Sequence, residues 1–328
     1  MDDVRAYLAS EKKSALIDLI VERAEDDDRL RERLFMKAAK KGEKGVNVNA
    51  FRRAIDRAVG RGGFIDYYSA YAYAQGIDEV VDSIAELLQE GSATKVIDLL
   101  EHALRAVEKS LHMIDDSDGN MGGILDRLQE LHHQACQKAR PDPETLATRL
   151  FEWELRTDWD TFYGAVEVYA DLLGEKGLAV YRTLAEKHWV QVSPLKPGSP
   201  DRFTDSPRFR LTHIMKTLAK LAGDVETLVA IKVKDLSHAY NFLQIAELYQ
   251  QARQHDLALE WAERGVQAFP DRTDSRLRAF LTQEYHRRDR HDDAMASIWT
   301  EFSDFPQLEH YKQLKTHADK TKQWPGWR

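Results

Sequence analysis

Apolar residues recur along this chain every three to four positions, the spacing of one helix face, and no stretch alternates as a strand does. The first stripe is Leu16, Ile17, Ile20 and Val21, and Ser10 is placed to cap its helix. Asp27 or Asp28 opens the next, with Leu30, Leu34 and Phe35 inside. The string Lys41-Gly42-Glu43-Lys44-Gly45 breaks the pattern, and a helix through Phe51, Ile55 and Val59 ends at Gly60. Asp66 starts a long helix bearing Ile77, Val80, Val81, Ile84, Leu87 and Leu88, which Gly91 stops. Ser92 caps a partner with Val96, Ile97, Leu100, Leu104, Val107 and Leu111. After a polar loop over 115–123, Ile124, Leu128 and Leu131 mark a helix to Ala139, and Pro141 and Pro143 punctuate it. Further helices fit 143–156, 160–173, 176–190, 208–222, 224–234, 237–253, 255–269, 273–289, 291–303 and 307–319. The short connections predict antiparallel neighbours, so the fold class is all-α.

The last third repeats at a spacing of 36: Tyr249, His255, Asp256, Ala258, Phe269 and Pro270 recur as Tyr285, His291, Asp292, Ala294, Phe305 and Pro306. A fixed period of that size predicts antiparallel helix pairs stacked as an α-solenoid. Pro194, Pro197, Pro200 and Pro207 concentrate in 193–207, which reads as a joint. The expected organisation is a basic helical region over 1–62, helical hairpins over 63–192, the joint, and repeats over 208–320.

Within the first repeat, Phe242, Ile245, Ala246 and Tyr249 fall on one helix, Ala258 and Gly265 on the next, and Pro270 follows. The pattern resembles tetratricopeptide (TPR) repeats. Small residues let two helices approach, aromatics fill the space between pairs, and proline ends the second helix. The second repeat keeps Leu281, Tyr285, Ala294, Ile298 and Pro306 but departs at Arg278, Thr282 and Glu301, where an aromatic and two small residues are usual, and the first carries Ala262 in place of a large apolar residue. The resemblance implies that the first helix of each pair lines a concave, partner-binding face. By position that lining is Tyr240, Leu243, Glu247, Gln250 and Gln251, then Arg276, Ala279, Gln283, His286 and Arg287.

A second resemblance spans nearly the whole chain. Ile114-Asp115-Asp116-Ser117-Asp118-Gly119, Leu150-Phe151-Glu152-Trp153-Glu154-Leu155, Asp158-Trp159-Asp160-Thr161-Phe162-Tyr163, Arg272-Thr273-Asp274-Ser275-Arg276-Leu277 and Tyr285-His286-Arg287-Arg288 are similar to a bacterial helical family of unknown function. That family's helical region often follows a SWIM-type zinc finger in longer proteins. The finger needs four Cys or His ligands, and the single Cys136 cannot supply them. The resemblance also implies that Trp324-Pro325-Gly326-Trp327-Arg328 leads into a further helix in longer relatives.

Composition narrows the picture. Apolar runs of only a few residues span no membrane, and Met1-Asp2-Asp3-Val4-Arg5 is no secretory signal. One cysteine excludes an internal disulfide and fits a reducing cytoplasm. Charge is uneven. From Arg29 to Arg61, eleven basic residues face only Glu32, Glu43 and Asp56, so this stretch carries +8 of a chain whose formal net charge is -8, and the remainder carries -16. Lys40, Lys41, Lys44, Arg52, Arg53, Arg57 and Arg61 are therefore candidate phosphate contacts to a nucleic acid, or a dock for the acidic remainder.

Candidate chemistry is sparse. His132-His133-x-x-Cys136 places two ligands one helical turn apart, where a zinc site needs four, so a buried cysteine beside a solvated histidine is the plainer reading. The run Asp115-Asp116-Ser117-Asp118-Gly119-Asn120 resembles a calcium loop but has Met121 and Arg127 where the loop needs Gly and Glu. A polar turn with Asp118 or Asn120 as cap explains it. His255-Asp256 and His291-Asp292 recur with the repeat, which suits carboxylates at helix starts. Glu152, Glu154, Asp158 and Asp160 among Trp153, Trp159 and Phe162 form the best candidate for acid–base chemistry, against an ordinary Glu152–Arg156 pair. No P-loop, dinucleotide fingerprint or nucleophile elbow appears, so no cofactor is expected. The expected function is a non-catalytic adaptor holding a protein or peptide on the concave face. A nucleic-acid contact through 29–62 and an enzyme built on 152–160 are the alternatives.

Overall fold

The computed structural model describes residues 1–41, 45–60, 62–200, 206–271, 273–304 and 306–320. Lys44, Arg61, Arg272, Phe305 and the segment 321–328 lie outside them. Seventeen helices and no strand form among the described residues. In order they are α1 (Asp2–Ser10), α2 (Lys13–Asp26), α3 (Asp28–Lys40), α4 (Val48–Val59), α5 (Tyr67–Gln89), α6 (Ala93–Leu111), α7 (Asn120–Ala139), α8 (Pro143–Arg156) and α9 (Ala165–Val168). Then follow α10 (Ala170–Trp189), α11 (Ser206–Leu221), α12 (Val225–Val233), α13 (Ala239–Gln251), α14 (His255–Ala268), α15 (Ser275–Arg287), α16 (His291–Asp304) and α17 (Leu308–Lys320). No helix of the described residues is long and apolar enough to cross a membrane.

Two compact units, Met1–Val180 and Tyr181–Arg328, divide the chain within α10, ahead of the proline-rich 193–207. In the first unit α4, α5, α6 and α7 pack on one another around Phe51, Tyr73, Ile84, Leu99, Leu100, Leu104, Met121 and Leu128, all fully buried. Tyr73 reaches that core because its hydroxyl donates to the carbonyl of Val59 at 2.6 Å. In the second unit each helix from α11 to α17 packs on its neighbour in sequence, and α13 also touches α15. That pattern is a TPR-like stack of antiparallel pairs.

Helix starts follow local chemistry. Asp27, Asn47, Asp66, Asp142 and Asp224 each accept a backbone N–H at the first turn of α3, α4, α5, α8 and α12. Elsewhere the structure corrects the sequence. Helix α2 starts from Lys12 rather than a Ser10 cap, and Ile17, Ile20 and Val21 stay about half exposed, because α2 packs chiefly on α3 among the described residues and buries Ala24. Met36 and Ala39, not Phe35, face inward from α3, one helical phase away from the expected stripe. The cap of α7 is Gly119 in the left-handed region (φ 70°), and the carboxylate of Asp116 takes the N–H groups of Met121 (2.8 Å) and Gly122 (3.2 Å). Residues 160–164 form a turn instead of a helix start. Gln129 captures the N–H of Phe162 at 2.6 Å and Glu154 that of Gly164 at 2.8 Å, which removes donors a helix would have used. Gly174 (φ 53°, ψ -164°) then breaks α10 internally.

Candidate partner-binding face

Phe242, Ile245, Ala246 and Tyr249 of α13, Ala258, Trp261, Ala262 and Gly265 of α14, and Leu277, Phe280 and Leu281 of α15 are buried together. They hold α13 and α15 side by side with α14 behind them. Gly265 is the point of closest approach: a Cβ there would lie 2.6 Å from Cβ of Phe242 and 2.7 Å from Cδ2 of Leu277. The repeated tyrosines make the same contact twice. Tyr249 on α13 donates to Glu226 on α12 at 3.3 Å, and Tyr285 on α15 donates to Glu263 on α14 at 3.0 Å.

The packing sorts the expected lining residues. The guanidinium of Arg276 stacks 4.1 Å over the ring of Tyr240, and it is held there by two hydrogen bonds to Asp274 (2.7 and 3.0 Å). Those bonds keep the Asp274 carboxyl below its ordinary range. Gln250 donates to Glu284 across the α13–α15 seam at 3.0 Å. Glu247 is half-buried, and Gln251, Ala279, Gln283 and Arg287 are exposed. Leu243 does not line the face: it is buried in the cluster, because its position on α13 points between the helices.

Three features of this region were not legible in sequence. Glu284 is fully buried and pairs with Arg287 (2.8 Å) and Arg288 (2.6 Å). Burial pushes its carboxyl up, but hydrogen bonds from Arg288 and Gln250 and the two arginine charges outweigh burial and leave it below the ordinary value. His286 is drawn off the face into a chain of rings, with Nδ1 2.9 Å from His291 and Nε2 2.7 Å from His317. Arg278 pairs with Glu301 (3.2 Å) and Asp304 (3.1 Å) between α15 and α16. Arg278 and Glu301 are two of the second repeat's three departures from the TPR pattern, so those departures are the halves of one ion pair. The third, Thr282, is buried and donates to the carbonyl of Arg278 at 2.9 Å.

Asp256 and Asp292 both stand in the first turn of their helices, α14 and α16. Helix α14 starts after Gln254 without a side-chain bond, and Asp256 pairs instead with Arg288 at 3.2 Å. His132, expected in solvent, is buried against the Tyr169 hydroxyl (2.8 Å) and Glu101 (3.7 Å), with the Cys136 sulfur 3.8 Å away. Burial pushes the Cys136 thiol up to about 12, so it is an inert core residue. No group of three metal-ligating side chains converges among the described residues.

The two alternative sites are also placed. Within the basic segment Lys40 pairs with Glu86 and Glu90, Arg57 with Glu32 (2.8 Å), and Arg29 with Glu79 (3.9 Å). Lys41, Arg52 and Arg53 are exposed. The carboxylates over 152–160 do not share a site. Glu152 pairs with Arg156 on the surface (3.6 Å), Glu154 is buried on the N–H of Gly164, and Asp158 is exposed 3.9 Å from His112.

A family model described as a family of unknown function (DUF6880) matches residues 8–321. No curated protein matches. Among solved structures the chain is similar to one titled "Crystal structure of APC/C hetero-tetramer Cut9-Hcn1", with 12% identity over 88% of this chain and 62% of that one, and a TM-score of 0.27. The chain thus spans less than two thirds of that protein. At such a TM-score the likeness carries no argument, and function is read from this chain's own geometry.

Proposed function

The chain belongs to a family of unknown function (DUF6880), and from that premise we propose that it is a non-catalytic adaptor holding a protein or peptide on the face formed by α13 and α15. One observation carries the reading. Two first helices of successive pairs lie side by side and present Tyr240 under Arg276, with Gln251 and Gln283 exposed further along the same two helices. A rigid aromatic with a pre-placed guanidinium and adaptable amides is the residue set that anchors protein partners. The adaptor belongs in the cytoplasm on this reading.

The test is affinity purification of the full chain from its native cells, with and without nuclease. Tyr240→Ala with Arg276→Glu should release the partner, whereas Glu260→Gln on α14 should not. Retention of every partner by the double variant refutes the site. A second reading rests on Arg52 and Arg53, which project from α4 with no carboxylate within 4 Å among the described residues. On that reading they contact nucleic-acid phosphates, and affinity falls steeply with salt. Nucleic-acid binding unaltered by Arg52→Glu with Arg53→Glu would eliminate it.

A further inference from the structure

The first two turns of α5 carry aromatic residues on the side away from the core. Ala70, Tyr73, Ala74 and Ile77 face inward, while Tyr67, Tyr68 and Tyr71 face solvent, with Phe64 one turn ahead of them. Tyr68 is 90% exposed, Phe64 66% and Tyr71 60%. Single exposed aromatics are ordinary, but four at helical spacing form a surface. A turn is pinned against it. The N–H of Ile65 donates to the carbonyl of Met113 at 2.8 Å, and the N–H of Asp115 donates to the carbonyl of Ile65 at 2.9 Å. The neighbouring Asp118 carboxylate raises the Tyr67 phenol above its ordinary range.

Charge gives the surface its sign. Over 62–72 and 113–120 the chain has Asp66, Asp115, Asp116 and Asp118 and no lysine or arginine. None of these carboxylates has an ion-pair partner among the described residues, whereas nearby Asp78 and Asp82 are both paired with Arg127. Asp116 spends both oxygens on the N–H groups that start α7, so the turn does not form a chelating calcium site. What remains is a set of electron-rich ring faces beside carboxylates that have no ion-pair partner among the described residues, Asp115 accepting only from Ser117. Such a surface attracts an organic cation at the rings and at the carboxylates together.

We propose that the aromatic stripe of α5 and the acidic turn beside it form a docking surface for a basic peptide segment, whose arginine or lysine side chains lie on the tyrosine rings with their charge against Asp115 and Asp118. This surface lies in the unit Met1–Val180 and is independent of the α13–α15 face. Arginine is preferred to lysine, because its planar guanidinium stacks on a ring while keeping its donors for carboxylates.

The test is fluorescence anisotropy of labelled oligo-arginine and oligo-lysine peptides with the full chain at low and moderate salt. A polycation adheres weakly to any acidic protein, so charge-neutral and charge-matched variants decide the outcome. Tyr68→Ser with Tyr71→Ser alters no charge and replaces no buried residue, and it should weaken oligo-arginine binding about tenfold. Asp115→Asn with Asp118→Asn should do the same, while Glu167→Gln with Glu175→Gln, an equal charge change elsewhere, should have little effect. Equal binding by the tyrosine variant and the wild type overturns the proposal. So does equal loss in the two carboxylate variants, which would mark diffuse attraction only.

Discussion

Replacing Gly265 with alanine tests the stacking of the repeats at its tightest point. In a helix interior alanine is favoured over glycine by about 1 kcal/mol. Here the added Cβ would sit 2.6 Å from Phe242 and 2.7 Å from Leu277, where carbon atoms at rest lie about 3.5–4.0 Å apart. The two neighbours belong to α13 and α15, so α14 cannot relieve one contact by leaning toward the other. Forcing a methyl group into a packed interior costs about 1–3 kcal/mol, and the contact with Cβ of Phe242, which no rotamer change can relieve, places this site near the upper end. Gly265→Ala should therefore lose about 2 kcal/mol net. The control is Gly76→Ala in α5, where a Cβ meets nothing within 4 Å, and which should gain up to about 1 kcal/mol. The two units need not unfold together, so the assay is native-state hydrogen exchange read separately from the α13–α15 and α5 amides. If the α13–α15 amides of Gly265→Ala are as protected as in the wild type, α14 does not press on both neighbours.

Other perturbations probe the charges the stack has buried. The Glu284 carboxyl lies below its ordinary value of 4.5 when folded, so its stabilisation is complete above that pH and lost as acid protonates it. Glu284→Gln should lower stability at pH 7 and flatten the acid limb below about pH 4.5. Lys232 is pulled from 10.5 to about 8 by burial and then by Lys216 and Lys220, so burying its charge costs stability at neutral pH. Stability should rise between pH 8 and 10.5 in the wild type and rise less in Lys232→Met, which should be the more stable protein at pH 7, measured by urea unfolding at each pH. Arg278→Phe leaves the nearly buried Glu301 without its cation and should cost about 3 kcal/mol by urea unfolding, most of which Arg278→Phe with Glu301→Gly should restore.

Helix positions were legible because each pair buries an amphipathic face, and the 3.6-residue pattern records which residues that face uses. Helix 143–156 and the starts at Asp27 and Asp66 follow from local signals alone. The misreadings arise where a distant side chain decides. The turn at 160–164 exists because Gln129 and Glu154 reach the backbone there, and no local pattern announces either contact. Leu243 belonged to the face by position and to the core by packing. The exposed ring set of α5 is visible as an aromatic-rich string over 64–73, but the core stripe starting at Ile77 is the stronger periodic signal on that helix.

The departures at Arg278 and Glu301 show how a repeat keeps its period while changing its chemistry. In the first pair an aromatic at one position packs on a glycine at the other, where the Phe242 and Leu277 side chains set the closest approach. In the second pair the same two positions hold Arg278 and Glu301, 3.2 Å apart. A phenyl ring needs its partner position empty, whereas a guanidinium needs it filled by a carboxylate of similar reach. Changing either residue alone leaves a void or a stranded charge, so the two positions are tied to each other more tightly than either is tied to a residue type. Taken one residue at a time, the second unit looks like a decaying repeat. Taken as a pair across α15 and α16, it satisfies the same geometric demand, and the helix stack continues to α17.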